Sequence, residues 1–194
     1  MNICLFCSYS GDNNIKNYVK FWLESLLKFN DKVILITNER HLDTNSINFL
    51  NKIGVELIMT ENKGWDFGLW YEGLKSIDID KCSSLSLIND STILFGDLDD
   101  FYKKSESYDY FGMTDSYELT YHIQSYMMVI RNKAVKDLYE YFMKNGKTPT
   151  NNNHYTPNIK KVTTKEMKNI HTHGEMVFNT DVNDYYYNPM KEVM

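Results

Sequence analysis

Residues 62–68 (Asn-Lys-Gly-Trp-Asp-Phe-Gly) combine groups that could hold a phosphorylated ligand. The two glycines allow the backbone to approach a ligand closely. Lys63 supplies a positive charge for a phosphate, and Asp66 can hydrogen-bond a ribose or a base. A purely structural role accounts for the same residues: Asp66 would cap the helix that follows, and Gly64 would be a turn residue. The spacing alone does not separate a nucleotide-binding loop from a capped turn.

Asn89-Asp90-Ser91 follows an apolar run and places one carboxylate between an amide and a hydroxyl. This set of oxygen donors suits a divalent cation that bridges two phosphates. A single aspartate at the end of a strand is more often a cap or a turn residue, which is the structural alternative. Asp90 is therefore a candidate metal ligand.

The sequence His-Thr-His-Gly-Glu at residues 171–175 is a second candidate for metal binding. In a strand, His171, His173 and Glu175 would share one face, because side chains alternate with a period of two. Isolated histidines more often have structural roles. Together with Asp90, this cluster also suggests a metal-dependent hydrolase, a function that would leave residues 62–68 unexplained.

Asp115 and His122 flank a loop in the second half of the chain, and either side chain could act as a general base. An aspartate within Thr-Asp-Ser is also an ordinary turn residue, which is the more common case. Both residues are candidates for proton transfer.

The three cysteines predict no disulfide framework. Cys4 and Cys7 have the spacing of a redox motif, which needs an exposed thiolate at a helix N-terminus. Here they lie in an apolar run that predicts a buried strand, with the two thiols on opposite faces. An odd, low count and an N-terminus unlike a secretory signal predict a reducing compartment.

Alternating strands and helices must position these groups. Apolar runs predict strands, and apolar stripes with spacings of three and four predict helices, with Tyr18 and Trp22 in the stripe of the first helix. Strands buried on both faces favour a parallel sheet with helices outside. The predicted strands are 3–7, 32–36, 55–59 and 84–88, and the predicted helices are 17–29, 43–53 and 67–75.

Polar residues follow each predicted strand and should converge beyond the carboxyl ends of the sheet, where such folds bind ligands. These are residues 8–12, 38–39, 62–66 and 89–91. The second half predicts strands at 110–113 and 122–130 and a helix at 134–144.

The composition is that of a globular chain, with 42% hydrophobic and 24% charged residues in 194. A net charge of -5 argues against a nucleic-acid-binding protein held by bulk charge. No apolar stretch approaches the ~18 residues that span a membrane. We expect a single domain, 1–194, without a nucleic-acid partner or a transmembrane segment.

Four blocks occur in an order and spacing that resemble the rhamnan synthesis protein F family of glycosyltransferases. They are Glu-Asn-Lys-Gly-Trp-Asp-Phe-Gly (61–68), Leu-Ile-Asn-Asp-Ser (87–91), Phe-Gly-Met-Thr-Asp-Ser (111–116) and Tyr-His-Ile-Gln-Ser-Tyr (121–126). The resemblance implies a GT-A-like, Rossmann-type nucleotide-binding α/β sheet, mostly parallel and flanked by helices, with a small acceptor-side extension. Residues 1–100 would form the nucleotide-sugar-binding half, and 101–194 the acceptor-side half and C-terminal tail.

The resemblance implies that a sugar, typically L-rhamnose, moves from a nucleoside diphosphate sugar to a polysaccharide or glycan acceptor. It also implies a nucleotide pocket at the ends of the first and third strands. Ser8 and Tyr9 would meet the base and ribose. The residues that would line the rest of the pocket are Asn62, Lys63, Gly64 and Asp66.

Asn89, Asp90 and Ser91 lie where GT-A enzymes carry an Asp-x-Asp motif, whose carboxylate usually holds Mn²⁺ or Mg²⁺ on the diphosphate. Only Asp90 is acidic here. We therefore expect either a metal at Asp90 or the charge of Lys63 to neutralise the leaving diphosphate. His171 or His173 would add a ligand, as a later histidine does in some GT-A enzymes.

An inverting transfer needs a carboxylate close to the acceptor hydroxyl. Asp115 is the expected base and His122 the alternative, while Gln124 and Ser125 would bind sugar hydroxyls. We expect a cytoplasmic location, with a peripheral contact at the inner face of a membrane left open. The alternative function, which the missing second carboxylate favours, is a non-catalytic sugar-nucleotide or glycan binding module of a larger glycan-assembly protein.

Overall fold

A six-stranded sheet forms the centre of the computed structural model, which describes residues 1–116 and 122–145. The strands are β1 (Asn2–Ser8), β2 (Lys32–Asn38), β3 (Glu56–Thr60), β4 (Ser84–Asn89), β5 (Tyr110–Gly112), β6 (Asp115–Ser116), β7 (His122–Ile123) and β8 (Met127–Arg131). The helices are α1 (Asn17–Leu26), α2 (Thr44–Ile53), α3 (Trp65–Lys75), α4 (Asp99–Ser105) and α5 (Lys133–Asn145), with a single 3₁₀ turn at Ile79–Lys81.

The order of strands in the sheet is β3-β2-β1-β4-β8-β5, and β6 pairs with β7 in a separate ribbon. β1 is parallel to both β2 and β4, and β2 is parallel to β3. β8 is antiparallel to β4 and to β5, so β8 begins at the edge of the sheet where the other strands end. The mostly parallel α/β sheet that the sequence predicts is confirmed.

The core lies on both faces of this sheet, because successive side chains of a buried strand point to opposite faces. On one face Phe6 packs in a cluster with Trp22 of α1 and Phe101 of α4. On the other face Leu5 packs in a cluster with Trp70 of α3. Both tryptophans are fully buried, and burying a side chain of this size stabilises the fold by about 3 kcal/mol.

Cys4 and Cys7 lie on opposite faces of β1, as the strand period predicts. Cys4 belongs to the cluster of Phe6, and Cys7 belongs to the cluster of Leu5. Burial raises the pKa of both thiols well above the usual value. The pair therefore packs the core and is not a redox couple.

The first three helices follow the sequence pattern closely. Asp43 caps α2 by accepting a 2.7 Å hydrogen bond from the Ser46 amide, and Gly54 ends that helix in a left-handed conformation. α1 ends at Leu26, three residues before the predicted end, and its Phe21 is 44% exposed. Among the described residues, no helix is long and apolar enough to cross a bilayer.

Two features of the second half differ from the sequence prediction. The strand predicted at 122–130 is two strands, β7 and β8, separated by residues 124–126. α4 was not predicted, because seven residues are too few for an apolar stripe to repeat.

Candidate functional site

The polar residues that follow the parallel strands meet at one edge of the sheet, as the topology requires. In the sheet register, Ser8 is the partner of Thr37, and Cys7 is the partner of Asn89. The loops after β1 and β2 are joined by Asn38, whose side chain accepts from the Ser10 amide at 3.1 Å and donates to the Ser10 carbonyl at 3.0 Å. We call this region the carboxyl edge; it comprises residues 8–12, 38–40, 61–66, 89–92, 113–115 and 124–126.

Asp90 follows β4 and receives hydrogen bonds from two other elements of the carboxyl edge. Ser8 Oγ, at the end of β1, donates to Asp90 Oδ2 at 2.6 Å. The Tyr18 hydroxyl, in the first turns of α1, donates to the same oxygen at 3.3 Å. Asp90 is therefore held in a fixed orientation by neutral donors.

Asn89 connects Asp66 to the same strand end. Its side-chain amide donates to Asp66 Oδ2 at 2.6 Å, and its carbonyl oxygen accepts from the Ser91 amide at 3.1 Å. Its backbone amide donates to the carbonyl of Tyr126 at 3.1 Å, which fixes the segment before β8 against the end of β4. Asn89 is 1% exposed, so it serves as a buried bridge between the two halves of the edge.

Both carboxylates of this cluster are shielded from water. Burial is the main cause that raises the pKa of Asp66 and of Asp90, and the negative charge of Asp66 raises the pKa of Asp90 further. The hydrogen bonds from Asn89 and Ser8 oppose these shifts but do not cancel them. Two half-buried carboxylates that repel each other form a site that favours a cation.

Arg40 is the cation that the fold itself brings to this cluster. It lies in the loop after β2, where burial lowers the pKa of its guanidinium and the negative charges of Asp90 and Asp12 oppose that shift. Its Nε and Nη1 atoms are buried and have no hydrogen-bond partner among the described residues. The guanidinium therefore approaches Asp90 with unused donors.

The loop before α3 has the close-packed backbone that its glycines suggest. Gly64 and Trp65 are both left-handed, with φ of 85° and 57°. A Cβ on Gly68 would lie 1.7 Å from the Lys63 carbonyl oxygen, so only glycine fits there. Gly64 is the N-cap residue, and Asp66 lies in the first turn with its carboxylate on Asn89. The structural alternative, in which Asp66 is the N-cap, is therefore wrong.

Lys63 and its neighbour Asn62 lie on the outside of this loop. The Lys63 ammonium pairs with Glu61 at 2.5 Å, and both side chains are at least 60% exposed. Lys63 therefore already has a carboxylate partner, in contrast to the unpaired nitrogens of Arg40.

Two tryptophans attach the core to the carboxyl edge. Trp22 Nε1 donates to the carbonyl of Thr92 at 3.0 Å, just beyond the Asp90 turn. Trp70 Nε1 donates to the carbonyl of Ile88 at 3.3 Å, just before that turn. The backbone around Asp90 is thus anchored from both faces of the sheet.

The second half of the chain supplies the other side of the edge. β5 ends at the carboxyl edge, so Thr114 and Asp115 lie there. β8 runs in the opposite direction and begins at the same edge, so Gln124 and Ser125, which precede it, lie there too. The Thr114 hydroxyl donates to Gln124 Oε1 at 3.0 Å, and the Gln124 amide donates to the Thr114 carbonyl at 2.9 Å. Asp115 is half-buried in β6.

The His122 backbone pairs with Ser116 in the β6–β7 ribbon, and the next residue, Ile123, pairs with Asp115. His171 and His173, the predicted metal-binding histidines, lie outside the described residues.

The donor set partly fits the divalent metal that the fold implies. Asp90 and Asp66 offer hard, desolvated carboxylate oxygens of the kind that Mg²⁺ and Mn²⁺ prefer. Within residues 1–116 and 122–145, however, no group of three or more His, Cys, Asp or Glu side chains could hold an ion. The described residues therefore suit an ion that keeps water or phosphate oxygens as its other ligands.

Exposed hydrophobic side chains surround the carboxyl edge. Tyr9 follows β1 and is 62% exposed, and Trp65 follows β3 and is 78% exposed. Ile93 and Phe95 follow β4 and are 49% and 67% exposed. Flat apolar surfaces beside polar groups are typical of sites that bind bases or sugars.

Sequence reasoning missed Arg40, Tyr18 and Trp65 as members of this site. Arg40 comes one residue after the polar pair 38–39, so extending that cluster by one position would have found it. Tyr18 sits in the apolar stripe of α1, and no sequence signal shows that its hydroxyl reaches Asp90. Trp65 lies in the loop 62–68 that the sequence indicates as a ligand-binding loop, but nothing in the sequence shows that its ring is exposed.

Three solved structures illustrate the similarity of this chain to known proteins. A 4-diphosphocytidyl-2C-methyl-D-erythritol synthase from Anaerococcus prevotii has a TM-score of 0.52 and 12% identity, covering 89% of this chain and 82% of that chain. A cytidylyltransferase from Leptospira borgpetersenii has a TM-score of 0.49 and 15% identity, over 85% and 73% of the two chains. The glycosyltransferase GlyE of Streptococcus pneumoniae has a TM-score of 0.45 and 11% identity, covering 95% of this chain and about half (53%) of that chain.

The first of these similarities, with a TM-score of 0.52 at 12% identity, shows a shared fold and nothing finer. A search of curated proteins by sequence found no match. The family model for rhamnan synthesis protein F matches residues 33–192, a span that includes the loop before α3, the Asp90 turn and the β6–β7 ribbon. The chain therefore belongs to the rhamnan synthesis protein F family.

Proposed function

We propose that this protein is a glycosyltransferase that moves a sugar from a nucleoside diphosphate sugar to a polysaccharide or glycan acceptor. The observation that carries the proposal is the cluster at the carboxyl edge, where Ser8 and Tyr18 orient Asp90 and Asn89 ties Asp66 to the same strand end. Family membership supports the choice of glycan synthesis, and L-rhamnose is the sugar that we favour.

The donor would lie across the ends of β1, β3 and β4. Ser8, Tyr9 and residues 62–66 would meet the nucleoside, and residues 89–91 would face the diphosphate. A bound Mg²⁺ or Mn²⁺ would neutralise charge on the diphosphate as it leaves. Asp90 would hold such an ion, because its carboxylate is oriented and desolvated.

Transfer joins the acceptor oxygen to the anomeric carbon and breaks the bond between that carbon and the diphosphate. The acceptor proton must go to a base, and Asp115 is our choice because it follows β5 at the carboxyl edge. In this inverting mechanism Asp115→Asn should reduce transfer at least 100-fold while donor affinity stays within twofold. An Asp115→Asn variant with normal transfer would remove Asp115 from this role and leave His122 as the alternative.

Gln124 and Ser125 would contact hydroxyls of the sugars, since they lie at the acceptor side of the same edge. The three free, buried cysteines support a cytoplasmic location, and a peripheral contact with the inner face of a membrane would place the enzyme near a lipid-linked acceptor.

The competing function is a non-catalytic module that binds sugar nucleotides or glycans, and the single acidic residue of Asn89-Asp90-Ser91 favours it. Release of nucleoside diphosphate from a panel of UDP-, dTDP- and GDP-sugars, with and without Mn²⁺, separates the two. An enzyme should release the nucleoside diphosphate from one kind of donor in the panel. The Asp90→Asn substitution should abolish that release. Binding of a donor without any release, in the presence of glycan acceptors, would support the module instead.

A further inference from the structure

The buried side-chain polar atoms without a hydrogen-bond partner, within residues 1–116 and 122–145, belong to Arg40 and Thr92. Arg40 follows β2 and Thr92 follows the Asp90 turn, so both lie at the carboxyl edge. Buried polar groups in folded proteins are almost always paired, and an unpaired one requires an explanation such as a missing ligand. The unsatisfied groups thus coincide with the candidate donor site.

Arg40 Nε and Nη1 are not hydrogen-bonded to the carboxylates around them. Asp90 Oδ2 already accepts from Ser8 and Tyr18, and Asp12 pairs with Lys16. Nε and Nη1 of Arg40 make no hydrogen bond to either residue. As far as residues 1–116 and 122–145 are concerned, these donors are therefore available to a bound anion.

We propose that Arg40 binds the diphosphate of the donor, as a cationic partner that complements Asp90. The inference rests on the proposed function and adds a residue that neither the motif comparison nor the sequence pattern assigned. A guanidinium is a planar fork of N–H donors that matches phosphate oxygens, and its charge does not depend on pH in the physiological range.

This assignment explains how a site with one acidic residue in place of an Asp-x-Asp motif can still neutralise a diphosphate. A metal ion held by Asp90 would supply part of the positive charge, and Arg40 would supply the rest from the end of β2 at the same edge. Lys63 is less suited to this task, because it is exposed and already paired with Glu61. The donor affinity should then keep a substantial metal-independent part.

Titration calorimetry on the full chain tests the proposal with three kinds of probe: nucleoside diphosphates (UDP, dTDP, GDP), the matching nucleosides, and inorganic pyrophosphate. Each is titrated in EDTA and in Mg²⁺. We expect Arg40→Ala to weaken nucleoside diphosphate and pyrophosphate in EDTA by about 10- to 100-fold and to leave the nucleoside unchanged. Arg40→Lys should lose less affinity, because it keeps the charge without the fork.

Lys52→Ala is the matched control for loss of one positive charge, because Lys52 is exposed in the last turn of α2, away from the carboxyl edge. It should bind every probe as the wild type does. The melting temperatures of the unliganded variants show whether each is folded.

The outcomes separate the inference from the proposed function. Equal binding of nucleoside diphosphate by wild type and Arg40→Ala overturns the role of Arg40 and leaves the donor site intact. An equal loss for nucleoside and diphosphate also overturns it, since it indicates a structural role. Pyrophosphate binding that depends on Arg40, without binding of any nucleoside diphosphate, supports Arg40 and contradicts the glycosyltransferase. Absence of binding by the wild type contradicts both.

Discussion

Ser8 Oγ donates a 2.6 Å hydrogen bond to Asp90 Oδ2 and thereby joins the ends of β1 and β4, two adjacent parallel strands. The two residues are 82 positions apart in the sequence. Only the parallel pairing of the strands brings them together. The orientation of the central carboxylate of the site is therefore a direct product of the sheet topology.

Ser8→Ala should test this hydrogen bond. The substitution removes a neutral donor from a half-buried carboxylate, so we expect a loss of about 1–2 kcal/mol in the free energy of unfolding at neutral pH. Donor affinity should fall as well, because Asp90 is less firmly oriented. Chemical denaturation measures the stability, and Ser107→Ala, at an exposed position, is the control that should change little. Wild-type stability and donor binding in Ser8→Ala would contradict the orienting role.

Asp66→Asn should change the pH dependence of stability. Burial raises the pKa of Asp66 in the folded state, so the folded protein holds a proton that the unfolded chain releases as the pH rises. Below the pKa of the unfolded chain, Asp66 is protonated in both states and does not reduce the free energy of unfolding. As the pH rises from there through the raised pKa of the folded state, ionisation of Asp66 progressively lowers the free energy of unfolding. Asn keeps an acceptor for Asn89 without the charge.

We accordingly expect unliganded Asp66→Asn to melt at a higher temperature than wild type at pH 7 and at nearly the same temperature at pH 3. Thermal unfolding over this pH range gives the comparison. An equal difference at both pH values would show that the effect is not electrostatic.

Trp22→Phe should affect the site from within the core. Phe retains most of the buried apolar surface but cannot donate to the Thr92 carbonyl, which lies just beyond the Asp90 turn. We expect a loss of about 1–2 kcal/mol in stability and a severalfold weaker affinity for the donor nucleotide. Trp70→Phe removes the corresponding hydrogen bond to the Ile88 carbonyl and should be measured in the same way for comparison. Unchanged donor affinity in both variants would show that these anchors matter for stability alone.

Gly68→Ala should disrupt the loop before α3. Its Cβ would lie 1.7 Å from the Lys63 carbonyl oxygen, a contact that the backbone must move to relieve. We expect a loss of at least ~2 kcal/mol in stability and a loss of nucleotide binding. Gly96→Ala is the matched control, because a Cβ there meets nothing within 4 Å and the residue lies outside the carboxyl edge. A Gly68→Ala variant that binds nucleotide normally would exclude this loop from the site.

The sheet could be predicted from the sequence because its strands are continuous apolar runs that end in polar residues. Ser8, Asn89 and Asp90 could be predicted as neighbours for the same reason, since parallel strands end at one edge. The position of Arg40 next to residues 38–39 could also be predicted, but only the packed structure shows that its buried nitrogens have no partner among the described residues. Likewise, Tyr18 has the spacing of a core residue, and its polar contact depends on where α1 crosses the end of β4.

Hydrogen–deuterium exchange of the full chain, with and without the nucleoside diphosphate that binds best, tests the location of the donor site most directly. We predict that the ligand slows exchange in peptides covering residues 8–12, 61–68 and 89–92, at the carboxyl edge. Peptides covering residues 27–31 and 76–83, at the opposite edge of the sheet, should exchange at the same rate in both samples. Protection of the opposite edge, or no protection at the carboxyl edge at saturating ligand, would contradict the proposed donor site.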